Sequence, residues 1–210
     1  MPAFDVILSA FITLFVTIDP IGLAPIFLGI TTGMNNKERI SVAFKAAMVA
    51  LITLFIFALL GTLILNALGI TIHAFRVAGG FLLFYIAFEM IFEKRQERQE
   101  ETSKKAFTKE HLTSIAVFPL AFPLIAGPGA ISALIILSTN IGGNWQGQAV
   151  LLGIITFVVI LVFICFSASG FIDKYLGVTV RMVLSRLLGV LLAALAVQFV
   201  ADGAIALVNA

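Results

Sequence analysis

Thr17-Ile18-Asp19-Pro20-Ile21-Gly22-Leu23-Ala24-Pro25 sits inside an apolar run that extends from residue 4 to residue 31. Crossing the hydrocarbon core of a bilayer takes roughly 20 mostly apolar residues, so the run is long enough to span. Its centre nevertheless carries a carboxylate and two prolines. Proline removes a backbone donor and clashes with the carbonyl one turn back, and glycine beside it tolerates unusual backbone angles. The reading is a membrane helix broken near its middle. A second stretch of the same kind, Phe118-Pro119-Leu120-Ala121-Phe122-Pro123-Leu124-Ile125-Ala126-Gly127-Pro128-Gly129, lies in the fourth apolar run. The two stretches hold five of the chain's six prolines.

Working outward, the whole chain has the composition of a membrane protein. Of 210 residues, 61% are hydrophobic and 11% charged, and the mean hydropathy is +1.15. Soluble domains carry about 25% charged residues. Six apolar blocks are expected, at 4–31, 41–66, 72–92, 112–138, 147–172 and 180–208, with Trp145 as an interfacial anchor and Asp173–Gly177 separating the last pair. The first block has no basic stretch before it and carries Asp5 early, so it reads as a retained helix rather than a signal peptide. Lys37, Arg39, the lysines and arginines between 94 and 109, and Lys174 and Arg181 all fall in loops one, three and five. The positive-inside rule then puts those loops in the cytoplasm and both termini outside it, in a multi-pass protein of the cell (inner) membrane. Residues 93–111 mix both charge signs and read as a solvated cytoplasmic linker. The one cysteine, Cys165, excludes an intramolecular disulfide and a paired-cysteine metal site.

The linker divides two three-helix units, 1–92 and 112–210, that resemble one another at an offset of about 110 residues. Arg76-Val77-Ala78-Gly79 matches Arg186-Leu187-Leu188-Gly189, Gly61–Gly69 matches Gly170–Gly177, and Asp19-Pro20-Ile21-Gly22 matches Gly127-Pro128-Gly129. A unit of three spans ends on the opposite side from its start, so the second unit is inverted relative to the first. The fold class expected is all-α, six spans in two inverted repeats, a pattern common in secondary transporters.

Unwound backbone at membrane depth is tolerated only where protein or a watery cavity satisfies it, so the two breaks are expected to face one another. A half-helix that starts at a break offers free amides and a positive dipole end to a carboxylate. Free carbonyls on the other half suit an ammonium group or a cation, and an amino acid zwitterion carries both charges. The candidate substrate-binding residues are therefore Asp19, Pro20, Gly22, Pro25, Gly127, Pro128, Gly129 and Ser132. Asp19, an intramembrane carboxylate, is the candidate coupling residue, with Arg76 and Arg186 as candidate gating residues. The bland alternatives are proline kinks for packing, a capping role for Asp19, snorkelling for the arginines and own-helix hydrogen bonds for Thr17, Thr31 and Ser132. Lys45 is expected to snorkel, and Glu89 and Asp202 to be solvated at helix ends.

The segments Asp19–Phe27, Arg76–Gly80 and Pro123–Ile131 resemble the MarC family, six-span proteins described as neutral amino acid transporters and grouped with the lysine-exporter superfamily. The resemblance covers essentially the whole chain. The family pattern often has asparagine before the first proline, where this chain has Asp19. The resemblance implies a transporter of small neutral amino acids such as glycine and alanine. The expected function is alternating-access transport, coupled to a proton or sodium gradient. Export of another small solute and a channel are the alternatives. No enzyme activity, cofactor, metal or nucleic acid partner is expected. The expected partners are a small neutral amino acid, membrane lipid and, given the small size, further copies of the chain.

Overall fold

Helix ends in this protein fall where the sequence supplies partners for orphaned backbone groups. Asn35 caps the longest of the early helices with a reciprocal pair of bonds: its side-chain oxygen accepts from the Glu38 amide at 3.0 Å, and its own amide donates to the Glu38 carboxylate at 2.9 Å. That helix ends at a glycine. Gly69 takes φ 70°, its amide donates to Asn66 O at 3.1 Å, and the Ile70 amide reaches back to Leu65 O at 2.9 Å, which is the two-bond glycine cap of helix C-termini. The next helix starts under Thr71, whose hydroxyl accepts from the Ala74 amide at 3.2 Å.

The computed structural model describes residues 4–31, 34–92, 94, 115–141 and 145–209, with side chains at all of these except 172–178 and 181. The helices are α1 (Phe4–Ile18), α2 (Pro20–Ile30), α3 (Asn36–Ala67), α4 (Ile72–Ile91), α5 (Pro128–Ile141), α6 (Trp145–Ser167) and α7 (Ser169–Val208), with a wide, irregular coil at Ala116–Ile125 before α5. No strand occurs among the described residues. Five runs are long and apolar enough to cross a membrane: α1 with α2, α3, α4, α6, and Met182–Val208 of α7. The coil and α5, bent by 55°, make a sixth when counted as one crossing. These are spans one to six in chain order once the bent pair is counted as span four.

Two expectations change. Asp173–Gly177 does fall between the last two spans, Trp145–Ser167 and Met182–Val208, but those residues are helical within the first turns of α7 rather than a loop, and the chain breaks from α6 at Ala168. A lone glycine costs a helix only about 1 kcal/mol, and no proline accompanies Gly177 to stop it. Glu89 is not solvated: it is 4% exposed. The charged linker expected at 93–111 lies outside the described residues apart from Lys94.

The side-chain pattern is that of a protein whose solvent is lipid. Phe44, Ile52, Leu63, Phe81, Phe88, Ile160 and Leu187 are exposed, while the interior is dominated by alanine, leucine, isoleucine and valine. Contiguous apolar surface on this scale is not tolerated by a monomer in water. Small residues bring the spans together. Spans three and six form the most extensive packing in the molecule. A Cβ on Gly80 would stand 3.0 Å from Ala196 O and press on Val200, and one on Gly189 would stand 3.1 Å from Ala87 O and press on Ile91.

Those two contacts are the same contact seen twice. Gly80 and Gly189, Ala87 and Ala196, and Ile91 and Val200 are each 109 residues apart. The equivalence therefore runs through Gly80 rather than Gly79, one residue off the register expected from the arginines. The packing of the remaining spans follows the same exchange. Span two packs on span four as span five packs on span one, and span three packs on span four as span six packs on span one.

Candidate functional site

The break in span one is a single residue. Asp19 takes the left-handed conformation, φ 58° and ψ 65°, which L-residues avoid unless a short polar side chain bonds locally. Its carboxylate does so, accepting from the Gly22 amide at 3.0 Å. The helical ladder survives on both sides: the Asp19 amide donates to Phe15 O at 2.9 Å, and the Leu23 amide donates to Asp19 O at 3.0 Å. Pro20 follows as the first residue of α2, where its missing N–H costs nothing. A Cβ on Gly22 would collide with the Asp19 carboxylate, so glycine is required there. Asp19 itself is 5% exposed.

The break in span four is longer. Phe118 (φ −131°, ψ 124°) and Phe122 (φ −133°, ψ 128°) are extended, as residues before proline are driven to be, and the Phe118–Pro119 and Phe122–Pro123 peptides are cis. α5 then starts as α2 does, with a cap followed by proline. Here the cap is Gly127, whose carbonyl accepts from the Ile131 amide at 3.0 Å. A Cβ on Gly127 would run into Pro123 O, so the chain folds back tightly just before the half-helix. Glycine has no side chain to spend on the first amides of α5.

The two breaks meet. Gly129, buried one residue into α5, has Thr17 of span one and Ile86 of span three as its neighbours; a Cβ there would collide with Ile86 Cδ1 and stand 3.4 Å from Thr17 Cγ2. Thr17 turns its methyl to Gly129 and its hydroxyl back to Thr13 O at 2.6 Å. Thr31 likewise bonds its own helix, to Phe27 O at 2.8 Å. Span five closes the other side of span one. Phe166 stacks on Phe27 with centroids 4.4 Å apart.

Not every candidate gathers here. Asp19, Pro20 and Gly22 belong to the first break and Gly127, Pro128 and Gly129 to the second, although Pro128 is exposed. Pro25 lies within α2. Ser132 is buried against Gly79 of span three. Arg76 is a tether between the far ends of spans three and four, donating from Nη2 to Asn140 Oδ1 at 2.6 Å and to Thr139 Oγ1 at 3.4 Å. Ten residues separate it from Ile86, about 15 Å along the helix. Arg186 is exposed, one turn before Gly189 in span six. Ile86, which packs on Gly129, was not flagged by sequence, since a lone isoleucine carries no motif. A cavity of about 380 Å³ between α1 and α7 includes none of the break residues. Among the described residues no group of three or more His, Cys, Asp or Glu side chains is arranged to hold a metal ion.

A family profile described as "MarC family integral membrane protein" matches residues 4–208. The chain is 38% identical over 200 residues to the UPF0056 membrane protein YvbG of Bacillus subtilis (strain 168), covering 95% of this chain and 94% of that one. It is 36% identical to a UPF0056 membrane protein of Archaeoglobus fulgidus, covering 93% and 90%, and 34% identical to the UPF0056 membrane protein YhcE of Escherichia coli (strain K12), covering 95% and 92%. No solved structure matches.

Proposed function

The chain belongs to the MarC family of integral membrane proteins, and from that premise we propose that it is a secondary transporter of small neutral amino acids of the glycine and alanine type. One observation carries the reading: two proline-initiated half-helices, α2 and α5, begin at breaks that meet through Thr17 and Gly129. The chemistry divides between them. In span one the Asp19 carboxylate already serves the start of α2, so that end presents negative charge suited to a substrate ammonium. In span four the Gly127 cap leaves the start of α5 with amides and a positive dipole end, suited to a substrate carboxylate. The Phe27–Phe166 stack and the tight packing around Gly129 favour a small side chain.

Alternating access follows from two inverted three-span units rocking about the site, and the exchange symmetry of the packing supports that arrangement. A proton or sodium ion carried with the substrate at Asp19 couples transport to a gradient. In this reading the protein sits in the cell (inner) membrane with both termini outside the cytoplasm, works without a resident cofactor or metal, catalyses no chemical reaction and is open to self-association.

Counterflow of labelled glycine and alanine into proteoliposomes tests the proposal, run with a proton gradient, a sodium gradient or neither. Saturable counterflow that a gradient accelerates is the expected result. Its absence for every small neutral amino acid, in protein that still melts cooperatively, overturns the substrate class.

A further inference from the structure

The cavity between α1 and α7 is built differently from the transport site. Its volume of about 380 Å³ falls in the roughly 300–1,000 Å³ range of small-molecule sites, and it lies between two membrane spans, with Leu8 and Leu191 of its lining exposed. Ile12, Leu191 and Leu195 make its apolar wall, and Asp5, Ser9 and Gln198 supply its polar groups. On each helix the lining residue nearest the chain terminus is polar, Asp5 on α1 and Gln198 on α7, with Leu8 beside Ser9 further along α1. Asp5 is seven residues, about 10 Å, from Ile12 along α1, and Gln198 follows Leu191 and Leu195 along α7. With six crossings both chain ends lie on one side, so the groove is polar towards that side and apolar towards the membrane centre. That is the axis of a lipid molecule.

The charge at the polar end is negative. Asp5 is exposed, and residues 1–36 and 187–210, which include both walls, contain no lysine or arginine. A carboxylate beside two neutral hydrogen-bonding side chains suits a donor-rich cation. A primary ammonium has three N–H donors and makes a charge-assisted bond to the carboxylate, whereas a quaternary ammonium has none to give. An anionic head group would be repelled. We infer that this groove holds a membrane phospholipid with a primary-ammonium head group, its head on Asp5 with Ser9 and Gln198 in support, and one acyl chain along Ile12, Leu191 and Leu195. The inference stands on the groove alone and does not require the transport reading.

Native mass spectrometry of the purified protein tests it, after exchange into mixtures of phosphatidylethanolamine, phosphatidylcholine and phosphatidylglycerol with identical acyl chains. The wild type retains phosphatidylethanolamine several-fold over the other two. Asp5→Asn lowers that retention to the phosphatidylcholine level, and Leu195→Trp, which fills the groove, lowers retention of all three. Asp202→Asn removes an exposed acid of α7 that does not line the groove and leaves the preference unchanged. Melting temperatures in the same detergent keep a folding defect separate from a binding one. Equal retention of the three lipids by wild type, an unchanged preference in Asp5→Asn, or an equal loss in Asp202→Asn overturns the inference.

Discussion

Spans one and four solve the same problem with different parts. Each starts its second half-helix with a cap and a proline, Asp19-Pro20 in one and Gly127-Pro128 in the other. In span one the cap has a carboxylate, the break is one residue, and the ladder continues on both sides. In span four the cap has no side chain, the chain bends by 55° at its junction with α5, and the irregularity extends back through Phe122 and Phe118. A side chain that satisfies its own helix lets the break stay short and leaves a negative group at it. A glycine cap needs a longer approach and leaves amides at it. The difference gives two similar breaks unlike chemistry, which is what the proposed substrate site rests on.

The largest expected effect comes from closing the gap between the breaks. Gly129→Ala forces Ile86 aside, an overpacking cost of about 1–3 kcal/mol, and is expected to abolish counterflow while lowering the melting temperature. Ile86→Ala added to it restores much of both. If the double variant is no better than the single, the meeting of the breaks is not what Gly129 provides.

Next comes the cap of span one. Asp19→Ala loses the bond to Gly22 and leaves alanine at φ 58°, a destabilisation of about 1–2 kcal/mol that thermal melts will detect. Asp19→Asn keeps the cap and tolerates the left-handed backbone, so its melt stays near wild type while gradient dependence of counterflow disappears. A gradient response retained by Asp19→Asn sinks the coupling role and leaves Asp19 as a cap alone.

The smallest effect is expected far from both breaks. Arg76→Gln weakens the tether to Asn140 and Thr139 at a cost of about 1 kcal/mol, visible as a slightly lower melting temperature with transport rates close to wild type. A transport defect as deep as that of Gly129→Ala makes Arg76 a gate rather than a tether.

How much of this was legible in the sequence depends on what each feature needs. Six apolar blocks, the proline-glycine breaks and Asp19 are local, and each could be read where it stands. The sequence suggests a repeat at an offset of about 110 residues, and the paired contacts of Gly80 with Ala196 and Gly189 with Ala87 follow an offset of 109. Arg76 and Arg186 are the most visible match in the sequence, while the packing contacts follow Gly80 and Gly189, because close backbone approach selects glycine. Asp173–Gly177 lies between the last two spans as expected, yet it is helical rather than a loop, because charge and one glycine do not stop a helix. Glu89 was assigned to solvent from its place near a helix end, and its burial depends on neighbours that composition does not reveal. Gly129's partners, Thr17 and Ile86, come from two other spans. No pattern within span four announces them.

The most direct test of the account is equilibrium binding of labelled glycine to purified wild type, Asp19→Asn, Gly129→Ala and Arg76→Gln. If the substrate lies between the two breaks, Asp19→Asn and Gly129→Ala each weaken binding about tenfold or more, which is about 1.4 kcal/mol, while Arg76→Gln binds nearly as wild type does. Unchanged binding in the first two variants, or an equal loss in Arg76→Gln with its fold intact, would contradict a site between spans one and four.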